Sequence, residues 1–235
     1  MIEKLRIRYK VCEFFGTPVF LSPTVPIFSI LMFFSIRTVK DSDVFIQLYF
    51  PVMLFLVLVL HELGHAISAK FMGIEVKEIE LNFLGGALQL NLPFFNNKWL
   101  LVWSAGPLLN SAVALAVMLI PNWESNIYLY LFVLVNFIFV AINLIPLVPM
   151  DGGYILESIL CMFTKRFWAI KKTVKVSFVV LGLCVILLLI QNTNAFQTAG
   201  LALYFVWAIK KYEKTETARA KIQGELSIQN LSGES

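Results

Sequence analysis

The chain is poor in charge, in histidine and in paired cysteine. Only 14% of its 235 residues are charged, against about a quarter in an ordinary soluble domain. With 59% hydrophobic residues, 21 phenylalanines and a mean hydropathy of +0.79, there is too little polar surface to clothe a water-soluble globule. Disorder and collagen-like repeats are excluded on the same ground. The three cysteines, Cys12, Cys161 and Cys184, are far apart and form no CxxC. That excludes a disulfide framework and a cysteine zinc site. The net charge of +4 is too small to mark a nucleic-acid partner. No cleavable signal peptide is evident, because the basic start MIEKLRIRYK is followed by the broken stretch FFGTPVFLSPTVP.

What is present is a series of apolar runs. They lie at residues 18–36, 44–67, 99–120, 127–148, 174–190 and 196–209. Each can insert in a bilayer, the last with tilt or local thinning. The expected fold is an all-α polytopic membrane protein of about six transmembrane helices. The exception is 74–98, where the alternation in EVKEIELNF and the pair Gly85–Gly86 predict a short membrane-associated β-hairpin or re-entrant element. Residues 1–10 alternate charged and apolar positions and suit either a strand or a helix start. Basic residues cluster at Lys4, Arg6, Arg8 and Lys10, at Lys70, Lys77 and Lys98, at Lys165, Arg166, Lys171 and Lys172, and at Lys210, Lys211 and Lys214. The positive-inside rule then puts both termini in the cytoplasm, with only Arg37 and Lys40 outside. Residues 1–209 read as one membrane domain. Residues 210–235 read as a short polar cytoplasmic tail that begins as a helix and frays at SIQNLSGES.

The polar residues inside these runs are few and concentrated. Both histidines of the chain stand in His61-Glu62-Leu63-Gly64-His65. Histidines four apart share one helical face and can bind one zinc ion. Glu62 beside them is placed to take a proton from a metal-activated water rather than to ligate. Two randomly placed histidines fall four apart with a chance of about one in a hundred, before any requirement for the adjacent glutamate. Ionisable groups in a lipid-ready helix also cost on the order of a few kcal/mol, and a bound metal offsets that cost. The bland alternative is a pair of satisfied core histidines.

A catalytic zinc typically takes three protein ligands, and no third histidine exists. The best candidate is Asp151 in NLIPLVPMDGG, residues 143–153, which could also be an ordinary Asp-Gly turn. Glu157 and Cys161 are weaker alternatives. In the six-span arrangement, His61, His65 and Asp151 fall at similar depth near the cytoplasmic side. Ser104, Asn110, Ser111, Asn136 and Asn143 are the other polar residues at depth. Each can cement helix packing, while Asn143 and Asn110 could instead bind a substrate backbone or a developing oxyanion. Gly106 and Pro107 in SAGPLLNS would let a second backbone approach and would loosen a helix end.

HELGH, SAGPLLN and NLIPLVPMDGG, in this order, resemble the site-2 protease family of intramembrane zinc metalloproteases. The resemblance covers residues 45–155. It implies one zinc per chain held by His61, His65 and Asp151, Glu62 as general base, and Asn143, with Asn110, as substrate or oxyanion contacts. It also implies that Gly85, Gly86 and their flanking strands present the substrate in extended form. The expected substrate is a membrane-tethered protein, cleaved in or near its transmembrane segment, and a regulatory membrane partner is anticipated. With no room for an inserted PDZ domain, the chain looks like the minimal six-span branch, which includes sporulation-type members. PMDGG replaces the more usual PLDGG, a volume-conserving change. A bacterial plasma membrane is the expected location. The rival classes are a membrane metal transporter, which usually spreads ionisable residues over several helices, and a catalytically silent scaffold, which would not require Glu62.

Overall fold

The computed structural model describes residues 8–14, 16–37, 44–82, 87–90, 98–191 and 195–232. The chain divides into two compact units. One comprises Met1–Leu92 and Ser104–Ile142, the other Pro93–Trp103 and Asn143–Ser235.

The first unit opens with strands β1 (Tyr9–Phe14) and β2 (Thr17–Leu21), followed by helix α1 (Thr24–Arg37) and helix α2 (Val44–Phe71). Strands β3 (Val76–Leu81) and β4 (Ala87–Leu90) come next. The four strands form one sheet in the order β1-β2-β3-β4. The expected local hairpin is the antiparallel pair β3–β4; Gly85 and Gly86 lie outside the described residues. What the sequence pattern missed is the parallel pairing of β2 with β3, in register Val19 to Ile79. Parallel neighbours need a long crossover, and α1 and α2 provide it. Residues 18–21, expected to begin the first span, are therefore strand, and the helix starts only at Thr24. One backbone and one side-chain hydrogen bond seal the junction at the strand end: Ser22 N–H donates to Leu81 O at 3.0 Å, and Thr24 Oγ1 to Asn82 Oδ1 at 2.8 Å.

Helix α2 has 28 residues, about 42 Å at 1.5 Å per residue, more than a bilayer core of about 30 Å. It ends where Gly73, at φ +71°, takes the left-handed conformation that favours glycine. Gly73 N–H bonds Lys70 O, and Ile74 N–H reaches Ala69 O. Helix α3 (Lys98–Met118) and helix α4 (Ile127–Asn143) follow. Pro107, expected to loosen a helix end, sits inside a continuous α3. Met53, Val57 and Phe132 form the buried centre of this unit, with Tyr49, Leu60, Val113, Val135 and Phe139 packed around them. Tyr49 Oη also donates to Tyr128 O at 2.7 Å.

The second unit holds the start of α3 and helices α5 (Asp151–Phe163), α6 (Arg166–Ile190) and α7 (Ala195–Ser232). Its core is Leu147, Val148, Ile170, Val174, Leu181, Ile209 and Tyr212. Ion pairs Arg166–Glu216 at 2.6 Å and Lys171–Glu213 at 2.6 Å run in opposite chain directions, so α6 and α7 pack antiparallel. The tail, expected to begin as a helix, is continuous with the last apolar run, since α7 extends from Ala195 to Ser232.

Among the described residues, α2, α3 and α6 are long and apolar enough to cross a membrane, and α4 is a shorter apolar helix. The architecture is thus a mostly helical one with apolar spans and a small sheet.

Candidate metal centre

The site begins with the period of α2. His61, Glu62 and His65 fall on its last turns, and all three are buried, at 3%, 5% and 3% exposure. Burial of three such groups on a predominantly apolar helix demands a compensating interaction. The two imidazoles stand edge to face, with ring centroids 4.7 Å apart. Their Nε2 atoms lie 3.1 Å from each other. Two nitrogens sharing one tetrahedral zinc at the usual bond length would be about 3.3 Å apart. The pair is therefore already convergent on a point that one ion can occupy. Phe139 of α4 closes the far side of His61, edge on at 5.0 Å.

Helix α3 forms the other wall. A Cβ at Gly106 would fall onto His65 Nε2 and within 2.9 Å of His61 Cε1. Only a glycine lets α3 lie against these imidazoles. One turn further along α3, Asn110 Nδ2 donates to Val57 O at 3.2 Å. Val57 is one turn ahead of His61, so Asn110 ties α3 to α2 next to the metal-binding face. This is a packing contact, and it is compatible with the substrate contact expected of Asn110. Asn136, also fully buried, bonds its own helix at Phe132 O over 2.8 Å.

In the second unit, Asp151 is the first residue of α5 and is buried. A carboxylate here faces the positive end of the helix dipole. The residues around it explain why two glycines follow. A Cβ on Gly152 would strike the carbonyl oxygens of Leu144 and Ile145. The incoming segment 144–150 is thus pressed against the start of α5. It is held from behind by Ser177 of α6, whose Oγ accepts from Val148 N–H at 3.1 Å. Asn143 ends α4, half-buried.

His61, His65 and Asp151 form a group able to hold a metal ion, with ligand atoms all within 4.8 Å of one another. Two imidazoles and one carboxylate are a donor set that suits zinc and leaves a fourth position open. The weaker third-ligand candidates are otherwise engaged. Glu157 is bonded by the Tyr212 hydroxyl and by Arg166. Burial, helped by the charge of Glu157, pushes the Cys161 thiol up to about 12, so it stays protonated and ligates poorly. Sequence reasoning noticed that Gly106 would admit a second backbone but did not connect it with the histidines. No local signal marks that contact, since it is made across two helices.

Two convergent imidazoles beside a glutamate, on a helix long and apolar enough to cross a membrane, define a candidate HExxH metal helix. Comparison with known proteins narrows this. Residues 120–189 match the profile of the family described as Peptidase family M50. A zinc metalloprotease of Methanocaldococcus jannaschii is 30% identical over 170 residues, covering 70% of this chain and 48% of its own length. A second relative carrying a zinc metalloprotease name, from Synechocystis sp., is 30% identical over 172 residues, covering 66% of this chain and 45% of its own. The chain thus spans about half the length of these curated relatives. The solved structure of a site-2 protease from Methanocaldococcus jannaschii superposes with a TM-score of 0.67 at 23% identity, covering 88% of this chain and 95% of that one. The chain is thus similar to peptidase family M50 over residues 120–189, to zinc metalloproteases over 170 residues, and to a site-2 protease in fold.

Proposed function

We propose that this chain is an intramembrane zinc metalloprotease that hydrolyses peptide bonds in or near the transmembrane segments of membrane-tethered proteins. The observation that carries the reading is the convergence of His61 Nε2 and His65 Nε2 at 3.1 Å in a group completed by Asp151. These three residues would hold one zinc ion, which when bound lowers the pKa of a water toward about 7 and polarises a carbonyl. Glu62 takes the proton from the attacking water and returns it to the leaving amine. It is buried beside His61 without belonging to the converging ligand group, as a base needs. The apolar surroundings supplied by Phe139 and the α2–α3 contact exclude bulk water and strengthen every charge interaction at the reacting carbonyl.

Asn143, with Asn110, is assigned to substrate or oxyanion contact. An extended substrate segment is assigned to the strand that follows Gly85 and Gly86, where added main-chain hydrogen bonds offset those lost when a helical substrate unwinds. Six spans, cytoplasmic termini, a bacterial plasma membrane and a regulatory membrane partner complete the proposal. So does the organisation into a membrane domain, residues 1–209, with a polar tail, residues 210–235. The relatives' zinc metalloprotease names and the apolar helices support this reading.

The test is zinc content of detergent-purified wild type, His61→Ala and Asp151→Ala, run beside cleavage of a single-span substrate. One zinc per chain, lost with cleavage in both variants, is the expected result. Zinc retained in Asp151→Ala would overturn the third ligand, and metal-dependent transport in vesicles without cleavage would overturn the protease.

A further inference from the structure

Helix α7 reaches well past the apolar part of the chain, and its polar extension is tied to the helix that carries Asp151. Tyr212 of α7 is buried, at 7% exposure. Its hydroxyl donates to the carboxylate of Glu157 on α5, itself 4% exposed. Arg166 approaches the same carboxylate through Nε at 3.4 Å, and its Nη2 holds Glu216 of α7 at 2.6 Å. The Tyr212 ring also meets Tyr154 edge on at 5.7 Å. Tyr154 also stacks on Trp103 at 4.4 Å, nearly parallel at 18°.

Tyr154 is one helical turn beyond Asp151 on the same face of α5. Glu157 is one turn further along. The two α5 residues that Tyr212 touches are therefore those that set the rotation and axial position of the helix beginning at Asp151. A buried carboxylate is costly unless fully bonded, and apolar residues here would hold α7 in place without that cost. A hydroxyl–carboxylate bond instead specifies one register, since a slip of a fraction of a turn leaves a charge unpaired in the interior.

We propose that Tyr212 is a positioning residue for the metal centre: through Tyr154 and Glu157 it fixes the rotation of α5, and with it the Asp151 carboxylate. The start of the polar tail then takes part in shaping the metal centre. The inference rests on Asp151 being a ligand.

The experiment loads metal-free full-length protein with Co²⁺ and records the visible absorption of the bound ion together with Co²⁺ and Zn²⁺ affinities. The proteins are wild type, Tyr212→Phe, Glu157→Gln, the double variant, Asp151→Ala, and Glu213→Gln as a control that breaks the more exposed α6–α7 pair with Lys171. Tyr212→Phe keeps the ring and removes only the hydroxyl, so the fold survives. The expected result is roughly 10-fold weaker metal binding with an altered cobalt spectrum in Tyr212→Phe, at the low end for residues behind a ligand. Glu213→Gln is expected to match wild type, and the double variant to be no worse than either single one, because the two residues act as a pair. A wild-type spectrum and affinity in Tyr212→Phe, with Asp151→Ala losing metal, would overturn the positioning role alone. A wild-type spectrum in Asp151→Ala would overturn the ligand assignment, and the positioning role with it.

Discussion

Gly106 of α3 meets His65 of α2 so closely that a single methyl group at Gly106 would overlap the imidazole Nε2. The histidine face of α2 is therefore accommodated by the absence of a side chain on its neighbour. Gly106→Ala is expected to displace His65, lower zinc below one per chain and reduce cleavage about 100-fold, the scale of an ångström-sized misplacement at a reacting centre. Zinc content and cleavage rate on protein of unchanged helical content check this. Wild-type values would mean that the helices separate at no cost.

Glu62→Gln separates the proposed base from the proposed ligands. The amide keeps the size of the side chain and cannot accept the water's proton. One zinc per chain should remain, with cleavage reduced by about 10²–10⁴-fold, the usual worth of a general base. Zinc lost in this variant would reassign Glu62 to metal binding.

Metal removal should act on the site and spare the fold. The cores around Met53 and around Ile170 contain no ligand, so a strong zinc chelator should abolish cleavage while the far-ultraviolet circular dichroism is kept. Readdition of zinc should restore activity. Global unfolding on chelation would show that the ion holds the helices together.

Gly152→Ala tests the second half of the site. The new Cβ would press on the Leu144 and Ile145 carbonyls. Overpacking of this kind costs about 1–3 kcal/mol, so the thermal midpoint should fall and zinc occupancy with it. Thermal denaturation in detergent and metal analysis read both effects.

Glu157 gives a pH dependence of defined sign. Burial raises its pKa above the ordinary 4.5, opposed by the Tyr212 hydrogen bond and by Arg166. A carboxyl with a raised folded-state pKa contributes stability that is fully present below its ordinary value and is lost as pH rises through the shifted one. Thermal stability of Glu157→Gln should therefore decline less than that of wild type as pH rises from about 4.5 upward. Parallel profiles would show that the carboxyl ionises as easily folded as unfolded.

Legibility followed distance along the chain. His61, Glu62 and His65 could be read because the helical period alone brings residues one and four apart into one neighbourhood. Asp151 was reachable because so few acidic residues lie at the ends of apolar runs. The β3–β4 hairpin was legible from local alternation, but its pairing with β2 was not, since Val19 and Ile79 meet only across the two helices between them. The tail was expected to begin as a helix, but its pairs with α5 and α6 through Tyr212, Glu213 and Glu216 were not legible, since they are made across helices far apart in the chain.

The amino-acid sequence by itself thus marked the apolar runs and an i, i+4 histidine pair beside a glutamate, because both are local properties. Only the tertiary structure decided which neighbours shape that chemistry. The room left by Gly106, the hold of Ser177 on Val148 and the contact of Tyr212 with Glu157 depend on the close packing of helices whose facing residues carry no mark of one another in the chain.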